Sequence, residues 1–314
     1  MAASTLPLRL HAITYAARAI HYYDLRPVTG ELPPFSAGAH LDVQVGNGMV
    51  RQYSLANPQH ESWRYLLGIK RDPNSRGASA WIHEHWRVGD TLQASPPRNN
   101  FALREEASSS LLLAGGIGIT PMLSMAARLQ ELGRPWQLHY SARSRQEMVE
   151  PQGLDPTCVH MHADEEHGGA PMDLAGLMLR TPADAHVYCC GPAPMLAAFL
   201  SLASARPPDH VHVERFSSDV PAARATAGFH VELARSKRRV YVAPGHTIVD
   251  ALRGEGIEVA TSCEQGICGA CETRVLAGIP DHRDLLLSKA EQAANRAMLI
   301  CCSGCKGDLL VLDL

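Results

Sequence analysis

The apolar residues change rhythm along the chain. Up to about residue 105 they fall in short alternating or β-branched runs, such as Arg51-Gln52-Tyr53-Ser54-Leu55 and Tyr65-Leu66-Leu67-Gly68-Ile69. Pro33-Pro34, Gly46-Asn47-Gly48, Asn57-Pro58 and Asp72-Pro73-Asn74 separate these runs as turns. Short strands at this spacing predict a small barrel or sandwich, with one helix over 79–86, capped by Ser79 and ended by Gly89. From Ser110 onward, apolar strands alternate with helically spaced segments. Leu111-Leu112-Leu113-Ala114 leads through Gly115-Gly116-Ile117-Gly118 into a helix opened by Thr120-Pro121 and ended by Gly133. Strands at 136–140, 159–162, 186–190 and 211–216, with helices near 174–179 and 195–203, predict a parallel α/β sheet. Small and polar residues over 217–227 read as a linker. Strands at 229–233, 239–242 and 309–312 and a helix at 248–253 follow. The predicted divisions are 1–105, 106–216, a linker at 217–227, and 228–314.

Composition narrows the class. With 46% apolar and 19% charged residues among 314, the chain can fill two or three cores and is not disordered. A net charge of -3 argues against a general nucleic-acid or membrane-surface binder. No apolar run reaches the ~18–20 residues of a membrane span. The opening Met1-Ala2-Ala3-Ser4-Thr5-Leu6-Pro7 has neither a basic nor an apolar signal region, so a cytoplasmic location is expected.

The nine cysteines carry the strongest chemical signal. None precedes Cys158, and six follow residue 260. An odd, clustered set suits metal or redox chemistry better than a disulfide framework. Cys263, Cys268 and Cys271 form C-x4-C-x2-C, the plant-type [2Fe–2S] spacing, with a fourth ligand from Cys301 or Cys302. Gly266, Gly269 and Ala270 let the backbone wrap closely and turn its amides toward the sulfurs. A zinc site expects two C-x2-C pairs, and only one is present. His160 with His162, and His210 with His212, share strand faces without metal-ligand spacing.

Other candidates are nucleotide-binding. Gly115, Gly116, Gly118 and Thr120 lie between a strand and a helix, where glycines let a pyrophosphate approach backbone amides. Pro121 replaces the last glycine of the common G-x-G-x-x-G pattern. Cys190, Gly191 and Pro192 end a later strand of the same sheet, where ligands of open α/β sheets bind, and this places Cys190 to face a bound ring. Arg51 and Tyr53 share a strand face and suit a phosphate and an aromatic ring. Lys70 and the turn Arg76-Gly77-Ala78-Ser79 offer a second phosphate seat. Arg143-Ser144-Arg145 follows a strand where a 2′-phosphate of NADPH would need a basic partner.

In this order, the motifs resemble the phthalate dioxygenase reductase family, which includes vanillate O-demethylase reductases. The resemblance rests on Arg51-Gln-Tyr-Ser-Leu, Leu113-Ala-Gly-Gly-Ile-Gly-Ile-Thr-Pro-Met-Leu, Tyr188-Cys-Cys-Gly-Pro, the Cys263–Cys271 segment, Asp281-His-Arg-Asp and Leu309-Leu-Val-Leu-Asp-Leu. It implies a multidomain chain: a β-barrel FMN domain, an α/β parallel-sheet NAD domain and a C-terminal α+β plant-type ferredoxin domain of β-grasp form. It implies electron transfer from NADH through FMN and [2Fe–2S] to a Rieske-type oxygenase, by a monomer docking transiently.

By the same resemblance, Arg51, Tyr53, Ser54, Lys70, Gly77, Ala78 and Ser79 hold the flavin, with Ala78 in place of a usual glycine. Phe216 covers the flavin ring, Cys190 lies near the nicotinamide, and Ser54 and Thr120 donate to flavin heteroatoms. Cys301 is the fourth metal ligand; Arg143 is assigned to the nucleotide by its place after the strand alone. Met148-Val149 departs from an aromatic that the family often carries after an alanine. His282 is assigned either to contact with an electron partner or to capping a turn. Two alternatives stay open. One is a reductase serving a haem protein or a soluble ferredoxin. The other is an iron–sulfur carrier with degenerate first domains, against which the intact nucleotide motifs speak.

Overall fold

The computed structural model describes residues 5–46, 48–73, 77–216 and 227–314. The chain divides into two compact units, Met1–Phe216 and a second that follows Phe216.

The first unit begins with an antiparallel barrel. Its strands are β1 (Leu6–Ala17), β2 (Ile20–Pro27), β3 (His40–Gly46), β4 (Met49–Ser54), β5 (Tyr65–Lys70) and β6 (Thr91–Ala94). They lie in the order β4-β3-β6-β1-β2-β5. A bridge between Leu55 and Leu67 joins the two edges, which removes the exposed strand edges an open sheet would leave. Alternate residues point inward, and Leu8, Leu10, Leu25, Leu41, Val43 and Leu67 form the core. Helix α1 (Ala78–His85) packs Ile82 into that core, and the following Trp86 donates from Nε1 to the Val45 carbonyl at 3.2 Å. The helix starts one residue before the predicted position. Its N-cap is Gly77, at a φ of 96°, and Ser79 lies inside the first turn, where its Oγ accepts the Asp72 amide at 3.2 Å. A glycine at positive φ makes the turn that serine would have capped.

The second half of this unit is a parallel sheet: β7 (Ser110–Gly115), β8 (Trp136–Ala142), β9 (Val159–Ala163), β10 (His186–Cys190) and β11 (Val211–Glu214). Helix α2 (Ile119–Glu131) lies on one face. Helices α3 (Leu174–Arg180) and α4 (Ala193–Leu202) lie on the other. The strand order is β11-β10-β7-β8-β9. All six residues of β7 are buried, as expected of a central strand covered on both faces. The chain runs outward from β7 to β9 and then returns to place β10 on the opposite side, so the switch point falls between β7 and β10. Ala17, Ile20, Ala37 and Phe101 of the barrel side share a core with Met122, Met125 and Tyr188. The expected final strand is shorter than predicted and ends at Glu214, so Phe216 lies beyond it, 43% exposed.

The second unit is a mixed sheet. Its elements are β12 (Phe229–Leu233), β13 (Arg238–Val242), α5 (Ile248–Gly254), β14 (Glu272–Ala277), β15 (Pro280–Asp281), α6 (Lys289–Ala294), β16 (Ala297–Leu299), β17 (Gly304–Cys305) and β18 (Leu309–Leu312). The order β13-β12-β18-β14-β16, with β12 and β18 parallel, is the β-grasp arrangement. Helix α5 buries Ile248, Val249 and Leu252 against the sheet, and Thr247 and Asp250 form its capping box. Of the expected linker, residues 217–226 lie outside the described residues, as does Arg76. Among the described residues, no helix is long and apolar enough to cross a membrane.

Candidate functional site

The first unit gathers its candidates where β7 and β10 end. Gly115 and Gly118 pack against the next strand's turn. A Cβ on Gly118 would stand 2.2 Å from the Cys190 carbonyl oxygen, and one on Gly115 would meet Pro192 Cδ at 2.7 Å and Gly191 Cα at 3.2 Å. Neither position tolerates a side chain, so the two turns meet backbone to backbone. Gly116 has a φ of 55°, and Pro121 sits in the first turn of α2, where its missing amide costs nothing. The Thr120 hydroxyl donates to the Ile117 carbonyl at 3.1 Å. Its methyl faces Gly68 of β5, where a Cβ would come within 2.6 Å of Thr120 Cγ2. Thr120 thus joins the turn to the barrel.

Three predicted or neighbouring side chains converge from distant parts of the chain. Ser54 ends β4, and its Oγ donates to Glu214 Oε2 at 3.3 Å. Glu214 ends β11 in register with Cys190 of β10. Burial pushes the Glu214 carboxyl up to about 8, opposed only by the Ser54 hydrogen bond. Cys190 is wholly buried, and burial, then Glu214, then Cys189 push its thiol well above the ordinary value. It stands here as a neutral thiol. Glu214 is the candidate residue that the sequence reading missed. Its signal was an acid closing the β-branched strand Val211-His212-Val213.

The other barrel candidates sit around these strands. Arg51 donates from Nη1 to the Val50 carbonyl at 2.7 Å. Tyr53 is half-buried against the barrel core, and burial raises its phenol. Lys70 pairs with Glu147 at 3.1 Å. Ala78 is 3% exposed and belongs to the barrel core, so the methyl that replaces the family glycine points into apolar packing. Helix α1 carries no acidic residue in its first turn, which suits an anion there. Beyond β8, Arg143 is exposed, whereas Arg145 pairs with Glu166 at 3.0 Å and its amide donates to Glu165 at 2.8 Å. Met148 and Val149 are buried core residues, and the Val149 amide donates to the Tyr140 hydroxyl at 3.1 Å.

The second unit presents the cysteines. Cys263, Cys268, Cys271 and Cys301 are all buried. The loop turns through positive φ at Glu264, Gly266 and Gly269. These turns aim amides inward. Gln265 donates to Cys263 Sγ at 3.3 Å, and further amides reach Cys263 from Ile267, Cys268 from Ala270 and Cys301 from Gly266. The four thiols meet as two pairs, Cys263 with Cys268 and Cys271 with Cys301, and Cys302 also meets Cys301. The Cys268 thiol and the loop amides hold Cys263 below its ordinary value. The Cys271 and Cys302 thiols do the same for Cys301. Among the described residues, no group of three or more ligands gathers as a single ion would require. Two thiols on each of two irons is the division a [2Fe–2S] centre needs, so the donor set fits that group.

Cys302 is buried beside Cys301, and its Sγ donates to the Leu299 carbonyl at 3.7 Å. Cys305 is half-buried and accepts the Gly307 amide at 3.3 Å. The His282 side chain is only 8% exposed. His186 Nδ1 and His212 Nε2 lie 2.9 Å apart, and His139 stacks on His160.

Two units, one with a nucleotide turn and one with paired thiols, define an electron-transferring oxidoreductase. Comparison with known proteins agrees. Residues 231–306 match the 2Fe-2S iron–sulfur cluster binding domain family. The phenoxybenzoate dioxygenase subunit beta of Ectopseudomonas oleovorans is 49% identical, over 98% of this chain and 97% of its own. The solved phthalate dioxygenase reductase, described as a modular structure for electron transfer from pyridine nucleotides to [2Fe-2S], is 36% identical. It superposes with a TM-score of 0.74 over 99% of this chain and 98% of its own. An intact type IV self-sufficient cytochrome P450 monooxygenase matches with a TM-score of 0.89 and 38% identity, over 99% of this chain and 41% of that longer one. The chain belongs to the phthalate dioxygenase reductase family, the reductase components of oxygenase systems.

Glu214 gives a pH signature. With its folded value near 8 and an unfolded value near 4.5, the native state keeps a proton that the unfolded chain releases between those values. Its contribution is therefore complete below about 4.5 and declines as pH rises toward about 8. All four tryptophans lie in the first unit, so their fluorescence follows that unit alone. In urea unfolding at pH 5 and pH 8, Glu214→Gln should weaken the loss of stability with pH. An unchanged difference between the two pH values would refute the assignment.

Proposed function

We propose that the chain carries electrons from NADH through FMN and a [2Fe–2S] centre to a Rieske-type oxygenase acting on an aromatic acid or similar small molecule. The observation that carries this reading is the presence on one chain of a backbone-lined switch-point turn and a two-pair thiol site. When bound, the flavin supplies the conversion between the paired electrons of a nicotinamide and the single electrons of an iron–sulfur centre.

The protein's own part is binding and orientation. Arg51 and the first turn of α1 hold the flavin phosphate, and Tyr53 and Phe216 flank its ring. Lys70, already paired with Glu147, supports that side electrostatically. Ser54 presents its hydroxyl to the flavin, and Glu214 keeps Ser54 oriented by the hydrogen bond at 3.3 Å. Gly115, Gly116 and Gly118 admit the nucleotide to backbone amides, Thr120 holds that turn through Ile117, and Gly191 and Pro192 wall the other side. Cys190, wholly buried behind that turn, stays a neutral thiol rather than a competing thiolate nucleophile. Cys263, Cys268, Cys271 and Cys301 hold the two irons, and the loop amides stabilise the charge on their sulfurs.

We assign NADH as the donor rather than NADPH. Arg145 is engaged by Glu166, and the Glu165 amide donates to the Arg143 carbonyl at 3.1 Å, which sets acidic residues beside Arg143 and disfavours a 2′-phosphate. The chain acts as a cytoplasmic monomer that meets its oxygenase transiently. A second reading takes the acceptor to be a haem protein, and the likeness to the cytochrome P450 monooxygenase favours it.

Cys268→Ser should abolish cytochrome c reduction while leaving reduction of the flavin by NADH within about twofold of wild type. Undiminished cytochrome c reduction would sink the proposed order of carriers. For the donor, kcat/KM should be at least tenfold higher with NADH than with NADPH, and Arg143→Ala should widen the gap. Equal values for the two nucleotides would contradict the assignment.

A further inference from the structure

Beside the cysteine loop lies a buried carboxylate that binds no thiol. The Asp284 side chain is fully buried, and the neighbouring His282 side chain is 8% exposed. Asp284 Oδ2 accepts the amides of Leu286 at 3.3 Å and Leu287 at 2.8 Å, which folds the backbone after it into a tight turn. Its Oδ1 accepts no hydrogen bond and lies 3.6 Å from His282 Nδ1.

That turn reaches the cysteines through one residue. The Leu285 amide donates to the Gly266 carbonyl at 2.9 Å, and the Gly266 amide reaches the Cys301 sulfur. Gly266 has a φ of 71°, and a Cβ there would stand 2.6 Å from Cys302 Sγ and 3.1 Å from Asp284 Cα. The loop therefore presses directly on the Asp284 segment. That segment is fixed from its other side by the Arg283 amide on Ser303 Oγ at 3.3 Å and by the pairing of β15 with β17.

An uncharged asparagine would make the same turn. Burying a carboxylate with one oxygen unbonded is costly, so a second role is needed to explain it. We propose that Asp284 is a positioning residue for the iron–sulfur centre. Its turn locks Gly266 so that the amide stays on Cys301, and its buried charge lowers the centre's reduction potential. This rests on reading Cys263, Cys268, Cys271 and Cys301 as the ligands. Amide donation to a ligand sulfur stabilises the reduced, more negative centre, and a nearby negative charge opposes reduction. Substitution separates the two. Asp284→Asn keeps an acceptor for the turn and removes the charge, whereas Asp284→Ala removes both.

The test is a redox titration of the full chain, followed by visible absorption and by the electron paramagnetic resonance of the reduced centre. D284N should load wild-type iron, with its one-electron equilibrium shifted about tenfold toward the reduced form, or about 59 mV. D284A should lie below D284N in potential and show an altered resonance. Reduction of the flavin by NADH should stay at wild-type level in both. A wild-type potential in D284N overturns the proposal whatever D284A does, and a D284A that matches D284N overturns the link through Gly266. A wild-type chain without iron would instead refute the ligand reading, which keeps the two failures distinct.

Discussion

The contact on which the first unit depends is backbone against backbone. Where β7 and β10 end, Gly115 and Gly118 lie so close to Cys190, Gly191 and Pro192 that no Cβ fits between them. This closeness falls at the switch point, where neighbouring strands send their chains in opposite directions. It leaves a ridge of amides and small residues at the mouth of the sheet. The same packing puts the carboxyl end of β10 beside that of β11, and so brings Glu214 level with Cys190 and within reach of Ser54. Ser54 belongs to the barrel, so one hydrogen bond connects the flavin-side strand to the nucleotide-side strands.

The second unit uses backbone in another way. Its loop must turn several amides toward sulfur within nine residues, and right-handed conformations alone cannot do this. Positive φ at Glu264, Gly266 and Gly269 supplies the reversals. Two of these are glycines, which take the conformation without steric cost. The result is a set of thiols whose charge is already partly stabilised by fixed dipoles. Both units thus place backbone amides where negative charge will sit, on a dinucleotide in one and on an iron–sulfur centre in the other.

Much of this was legible where the chemistry is local in sequence. The spacing of Cys263, Cys268 and Cys271 can be read directly because one loop supplies all three, and the strand–glycine–helix order around Gly115 is equally compact. Adjacent Cys301 and Cys302 left the fourth ligand open, since spacing cannot tell neighbours apart. The Cys301 sulfur meets those of both Cys271 and Cys302, and Cys301 as the fourth ligand stays part of the proposal. Glu214 carried only the weak signal of an acid closing a strand, because its meaning arises from strand register and from Ser54, 160 residues away. The helix cap was misread because serine is the commoner cap by propensity, while Gly77 provides the positive φ the turn needs. By sequence, His282 reads as a partner contact or a turn cap, and Asp284 enters only as the end of the Asp281-His-Arg-Asp motif. The segment is held by Gly266 against Asp284 and by the Arg283 amide on Ser303, which no local pattern announces.

The central claim is that one chain holds both a flavin and a [2Fe–2S] centre and fills them from NADH. The visible absorption spectrum of the purified protein, recorded before and after anaerobic addition of NADH, tests this most directly. Overlapping flavin and iron–sulfur bands should be present and both bleach. A colourless protein, or bands that persist unchanged in the presence of NADH, would contradict that claim.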